Sequence, residues 1–370
     1  MAGLTSNGDF SEKISPFLRK KMGILEREEG INSQAYQALY LQYVKQDIET
    51  EEKAESNNRH WEADIKLGGN NDSGIVVHGV ERLYKQSLVI EPTMICAAHC
   101  RYCLRANYEI FTLTETELKN IANYCGHESL RNEVSEVLIT GGDPFIVPQK
   151  LRFLVESIIE LAPNIKRIRI GTRVPLHDPD RVDNNIFEIF KRHRNRVTFE
   201  VATQINHEIE LFPEVIEKFR MIRDLGITVY SQNVLIKGVN DNIKTLAELY
   251  TKMRDVGIES HYLFHHVPMR GMHHFRTTVQ KGLELSKELT NSGLVSGRVK
   301  PMYALMTDIG KITLYEDTIL EKDNNNQLLI QSSYKFEDRM KWNPDWVMPE
   351  TASVDKNGLL RVLYLDGNDN

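Results

Sequence analysis

The chain has 370 residues, 41% of them hydrophobic and 26% charged, and its 46 basic and 52 acidic side chains give a formal net charge of −6. That is enough apolar material for a sizeable globular core. It supplies no overall basic field for nucleic acid, and no run of 18 apolar residues that could span a membrane.

Residues 1–85 read as an N-terminal helical extension. The first ten lack the basic-then-apolar order of a secretion signal, apolar side chains at three- and four-residue spacing predict an amphipathic helix over 35–44, 49–58 is a polar linker, and 67–74 is a Gly/Asn-rich loop. From Leu88 a rhythm begins. Short β-branched runs at 88–91, 136–140, 167–171, 197–202, 228–236 and 259–264 alternate with helical patterns at 114–124, 151–161, 185–192, 215–225, 243–256 and 279–289. Such alternation predicts parallel strands joined by right-handed crossovers, and six units predict an α/β fold, a partial (β/α)6 TIM-like barrel over 86–298. Beyond it, runs at 302–306, 312–315, 328–331 and 359–365 between Asp/Asn/Gly turns predict a small antiparallel β-rich extension, 299–370, covering the barrel mouth.

The densest chemical signal is Cys96-Ala-Ala-His-Cys100-Arg-Tyr-Cys103, directly after the first apolar strand. Thiolates are the soft ligands of iron–sulfur clusters, and a cluster held by three cysteines leaves one iron open to a second molecule. A disulfide framework would spread an even number of cysteines along a short secreted chain. A structural zinc site would want four ligands in paired spacing, with His99 crowded in as the fourth. Free thiolates place the protein in a reducing, oxygen-poor cytoplasm. Cys125, at the end of a predicted helix, reads as a buried small hydrophobe.

Further motifs fall at the strand ends, where a barrel of this kind binds its ligands. Gly141-Gly142-Asp143 lets backbone approach a ligand closely; Thr172-Arg173 ends the third strand, and Gln232 lies in the fifth. The Cys-x3-Cys-x2-Cys spacing is the signature of radical S-adenosylmethionine (SAM) enzymes, and Cys100-Arg-Tyr-Cys103-Leu-Arg105 resembles the lysine 2,3-aminomutase family within them. Arg169-Ile-Gly-Thr-Arg173, residues 232–241 and His274-Phe-Arg-Thr277 resemble further segments of that family.

The resemblance implies a [4Fe-4S] cluster on Cys96, Cys100 and Cys103 that donates one electron to SAM and yields a 5′-deoxyadenosyl radical. It implies SAM contacts from Gly141, Gly142, Asp143, Thr172, Arg173 and Gln232, with Tyr102 and His265 flanking the adenine. It also implies pyridoxal 5′-phosphate (PLP) on a lysine beyond the barrel, here Lys311, although the family's glycine run is reduced to Gly310. Arg105 matches the clamp of the substrate carboxylate, and Arg82 and Lys85 fall near the expected PLP phosphate site. The two aspartates that receive the substrate ammonium in the lysine enzyme fall on Val267 and near Met306, with Asp308 two residues on, while His265, His266 and Arg270 gather where the substrate side chain would lie. A buried ammonium without a carboxylate is strongly disfavoured. The expected activity is therefore a 2,3-aminomutase, an isomerase, acting on an acidic or neutral amino acid, glutamate first, rather than on lysine. The alternatives are a PLP-independent epimerase, dehydratase or oxidase, an iron–sulfur electron carrier, and an enzyme acting on a protein-bound lysine. The partners implied are a small-molecule amino acid and an electron donor such as flavodoxin or ferredoxin, with no nucleic acid and no membrane. A homo-oligomer stays open, without the cysteines of a zinc-bridged one.

Overall fold

A computed structural model describes residues 10–51, 77–82, 84–106, 110–269, 271–315 and 317–369. The Gly/Asn-rich loop at 67–74 and Arg270 lie outside them. Nine strands form one sheet in strict sequence order: β1 (Val80–Glu81), β2 (Ser87–Thr93), β3 (Glu136–Gly141), β4 (Arg167–Gly171), β5 (Thr198–Thr203), β6 (Thr228–Leu235), β7 (Glu259–His265), β8 (Met302–Thr307) and β9 (Gly310–Thr313). Strands β2 to β8 run parallel, and β1 and β9 close the two edges antiparallel. Because the order never reverses, the sheet curls into an open half-barrel with helices on its outside.

The helices form for local reasons. Thr114 and Glu117 make a reciprocal capping box for Glu115–Cys125, and Asn242 caps Ile243–Val256, which ends at Gly257 with a φ of 77°. Their apolar stripes and the outward faces of the strands make one continuous core, with Ile139, Ile168, Ile170, Val201, Leu235 and Leu263 fully buried. Cys125 belongs to it, with its thiol pushed up to about 12 by burial.

One sequence expectation needs correction. Met302–Thr307 is not antiparallel to its neighbours from the start but adds to β7 as a further parallel strand, Tyr262 opposite Met302. The antiparallel character begins only with β9. In sequence the strand reads with the extension because no helix follows it: a tight turn leads straight to the antiparallel Gly310–Thr313. Beyond it, β10 (Ile319–Lys322), β11 (Gln327–Lys335), β12 (Ala352–Val354) and β13 (Leu359–Leu365) form a separate antiparallel sheet in the order β10-β11-β13-β12. It is tied to the half-barrel through Arg276, which donates from Nε to the His266 carbonyl and from its terminal nitrogens to the carbonyls of Leu365 and Asp366.

Candidate active site

The loop that leaves β2 carries Cys96, Cys100 and Cys103. N-terminal residues wall it on one side: the Lys13 ammonium donates to the Cys96 carbonyl at 2.6 Å, and the His99 N–H donates to the Lys13 carbonyl at 2.8 Å. His99 is therefore occupied by structure, its ring stacked on Phe10 and its Nδ1 2.8 Å from the Ser11 carbonyl. Arg101, fully buried between the cysteines, pairs with Glu49 and donates to the carbonyls of Phe10 and Ser11, while its backbone N–H reaches the Gln42 carbonyl.

The second wall is the Gly-Gly-Asp turn after β3. Gly142 N–H donates to the Thr93 carbonyl at 2.8 Å and Asp143 N–H to the Ile95 carbonyl at 2.9 Å. A Cβ on Gly142 would fall 2.6 Å from Ile95 N, and Gly141 adopts a φ of 102° with Thr93 O only 2.7 Å from where its Cβ would stand. These glycines let two successive strand loops lie edge to edge. The Asp143 carboxylate faces inward, accepting from Thr172 Oγ1 and from the N–H groups of Phe145, Arg173 and Val174. Burial raises its pKa to about 6 against these donors. Asp143 and Thr172 thus lock the turn after β4.

That turn delivers Arg173, buried, with Nη1 2.7 Å from Cys100 Sγ and also donating to Tyr102 Oη, and Nη2 donating to Glu210. Tyr102 Oη accepts a further bond from Asn206, and Glu210 accepts from Tyr43 Oη at 3.0 Å and from the N–H groups of Asn206 and His207. His177 Nε2 stands 3.7 Å from the same Cys100 sulfur.

Two of the three thiols are raised by burial and by their neighbours. Burial first, then repulsion from the other two cysteines and Asp143, raises Cys96 well above an ordinary thiol. Burial and Cys100 raise Cys103 to about 11, opposed by the Arg105 N–H at its sulfur. Among the described residues no three His, Cys, Asp or Glu side chains close around a single-ion position. Three soft donors on one loop, two of them with N–H groups already aimed at their sulfurs, fit a cluster bound by three cysteines.

Deeper in the half-barrel, Lys311 projects from β9. Its Nζ lies 3.9 Å from the centre of the Tyr262 ring and 5.8 Å from that of Tyr84. Its backbone N–H donates to Tyr84 Oη at 3.2 Å, and its carbonyl accepts from Tyr334 Oη at 2.6 Å. Burial, then Arg169, lowers its pKa to about 8, with Glu136 pulling the other way. Arg169 itself is held by Glu136 at 2.9 Å and Tyr230 Oη at 2.6 Å. A desolvated, partly deprotonated amine is what carbonyl chemistry needs.

Other sequence-predicted residues are placed differently. His265 turns to the outer face: its Nδ1 meets Tyr364 Oη and its Nε2 the Thr277 carbonyl, both at 2.8 Å, and burial drops its pKa to about 3. It is a strut for the C-terminal sheet, because strand alternation sends it opposite to Phe264. Arg105 leaves the cysteine loop toward Glu91, at 2.6 Å. Arg82 is buried against Glu133 and the Trp342 ring and Lys85 is exposed beside the same Glu133, while Tyr84, between them in sequence, reaches Lys311. Gln232 sits half-buried on β6 opposite Tyr262. Glu210, Asn206, Tyr43, His177, Tyr84 and Tyr262 were missed by sequence reasoning, since they converge only through the fold.

Residues 90–250 match the radical SAM superfamily. The chain is 31% identical over 296 residues to a provisionally assigned L-lysine 2,3-aminomutase of Aquifex aeolicus, covering 77% of this chain and 74% of that one. It is 28% identical over 228 residues to the L-lysine 2,3-aminomutase of Buchnera aphidicola (61% and 65%) and 26% identical over 244 residues to that of Clostridium subterminale (66% and 57%). It spans less than two thirds of the length of the last two. Among solved structures it is similar to a radical SAM methyltransferase from Sphaerobacter thermophilus, at 17% identity and a TM-score of 0.47 over 62% of this chain and 69% of that one. A curled parallel sheet with a three-cysteine loop beyond its first long strand defines a radical SAM enzyme, a class that works with SAM and a [4Fe-4S] cluster. Within that class, the chain belongs to the lysine 2,3-aminomutase-like family.

Proposed function

We propose that this protein is a PLP-dependent 2,3-aminomutase for an amino acid whose side chain carries no ammonium. The observation that carries the reading is Lys311, a desolvated amine with a pKa near 8, set against Tyr262 inside the half-barrel. PLP bound there supplies a conjugated ring that spreads an unpaired electron beside the migrating nitrogen. Lys311 would hold that ring, while Tyr84 and Tyr334 fix the lysine's backbone and the Tyr262 face keeps its amine out of water. Cys96, Cys100 and Cys103 would hold the cluster, which with SAM would supply the radical chemistry.

The substrate class rests on Val267 and Met306. Both lie in one apolar cluster with Tyr102, Val234 and Met269, next to Cys100 and Cys103. An ammonium there would be desolvated without a carboxylate. A neutral side chain suits that wall best. Among the described residues of that group, an acidic one draws support from His266, whose buried Nε2 has no hydrogen-bond partner, because His265 faces away. The proposed partners remain a free amino acid and a low-potential electron donor.

The test is anaerobic reconstitution followed by incubation with SAM, reductant, PLP and a pool of amino acids, reading β-amino acid products by mass and retention. Isomerisation of neutral or acidic amino acids without lysine turnover is the expected result. Comparable turnover of lysine overturns the substrate assignment, and unchanged turnover in Lys311→Ala overturns PLP dependence.

A further inference from the structure

The Arg173 guanidinium does not point an open face at the mouth, as a carboxylate clamp would. One terminal nitrogen is spent on Cys100 Sγ and Tyr102 Oη, and the other on Glu210. Its plane is flanked by the rings of Tyr43 and Tyr102, each 5.6 Å from its central carbon. Asp143 fixes the backbone beneath it, accepting from the Arg173 N–H at 2.7 Å. Every neighbour therefore serves to hold a positive charge against one cysteine sulfur. Cys100 is singled out: His177 Nε2 approaches the same sulfur at 3.7 Å, while its Nδ1 is buried without a partner.

We propose that Arg173 tunes the iron–sulfur cluster through Cys100, with Glu210, Tyr43 and Tyr102 setting how strongly its charge is felt. The proposal rests on family membership, which implies the cluster, and not on the amino-acid reading. An N–H donor and a positive charge at a ligating sulfur stabilise the form of the cluster that has gained an electron. Reduction here is a single step, one electron passing from an external low-potential donor to the cluster with no bond made or broken. Arg173 favours the reduced side of that step, and Glu210, a carboxylate on the far side of the guanidinium, partly cancels it. Tyr43 belongs to the N-terminal helix Gln34–Tyr43, so the segment outside the half-barrel takes part in the setting. Arg173 is thus a positioning and tuning residue, acting on the cluster through Cys100.

The experiment is a dithionite redox titration of the reconstituted full chain followed by electron paramagnetic resonance, without SAM or substrate. Arg173→Gln should lower the equilibrium constant for reduction at least tenfold, about 59 mV for one electron. Arg173→Lys, which keeps the charge but loses the fork, should fall between. Glu210→Gln should move it the other way, a change of sign that a merely structural role would not produce. If Arg173→Gln takes up no cluster, Arg173→Lys and Glu210→Gln decide. Equal potentials in the variants, shifts of one sign in all of them, or a changed KM for SAM at constant potential would overturn the proposal. A wild-type chain that takes up no iron and sulfide would overturn the cluster that family membership implies, and the proposal with it.

Discussion

The Lys311 ammonium stands 3.9 Å over the Tyr262 ring, reaching from β9 across β8 to β7. A cation is attracted to a tyrosine face, yet burial dominates here and holds the amine near a pKa of 8. The unfolded chain keeps this proton up to about 10.4. The folded chain therefore binds fewer protons between those values, and the contribution of Lys311 to stability rises as pH climbs from about 8 to about 10.4. Borohydride trapping of PLP on the cluster-free protein should follow a midpoint near pH 8 and disappear in Lys311→Ala. Glu136→Gln removes the charge that favours the ammonium and should move that midpoint lower. A midpoint near 10 would show the amine to be solvated.

Glu49→Ala leaves the Arg101 guanidinium buried without its carboxylate, a loss of about 3–5 kcal/mol for a broken buried pair. The fall in melting temperature should be accompanied by a lower iron content after reconstitution, because Arg101 lies between Cys100 and Cys103. A destabilised protein with full iron content would show that the cysteine loop holds its shape without this anchor.

Gly142→Ala places a methyl group against the backbone of Met94 and Ile95. Neither neighbour is a flexible side-chain end, so about 1–3 kcal/mol of strain is expected, together with displacement of the Cys96 end of the loop. Iron binding and melting temperature should both fall, whereas Gly226→Ala, with no atom within 4 Å of the added Cβ, should cost only its positive φ and leave iron binding intact.

His265→Leu removes the ring that bridges Tyr364 and Thr277. Tyr364 Oη keeps the His266 carbonyl at 3.2 Å, so the buried Thr277 carbonyl is the group abandoned and a loss of about 1–3 kcal/mol is the expectation, with KM for SAM unchanged. A raised KM would restore His265 to the adenine pocket.

The strand–helix alternation was legible because each strand keeps buried β-branched or aliphatic residues on its outward face, as Ile168 and Ile170 do in β4, and the starts of β3, β4, β6 and β7 match their sequence-based limits. The cysteines were legible because a metal-binding loop is local. The environment of the sulfurs was not: Arg173 reaches Cys100 across 73 positions, and Tyr43 reaches Glu210 across 167. His265 was misplaced because one strand sends neighbours to opposite faces, and only the register of β7 decides which side faces the mouth. Lys311 was located by its order after β8, while its burial depends on Tyr84, at the other end of the sheet.

The contacts of Lys13, Tyr43 and Glu49 bear on how this chain could be shortened. A version beginning at β2 would retain all three cysteines and every parallel strand, yet strip away one side of their cradle. The Cys96 carbonyl and Arg101 would lose their partners, and Glu210 would lose the Tyr43 hydroxyl. A shortened version that starts near Phe10 is therefore expected to keep this cradle whole, and one that starts at β2 to lose it.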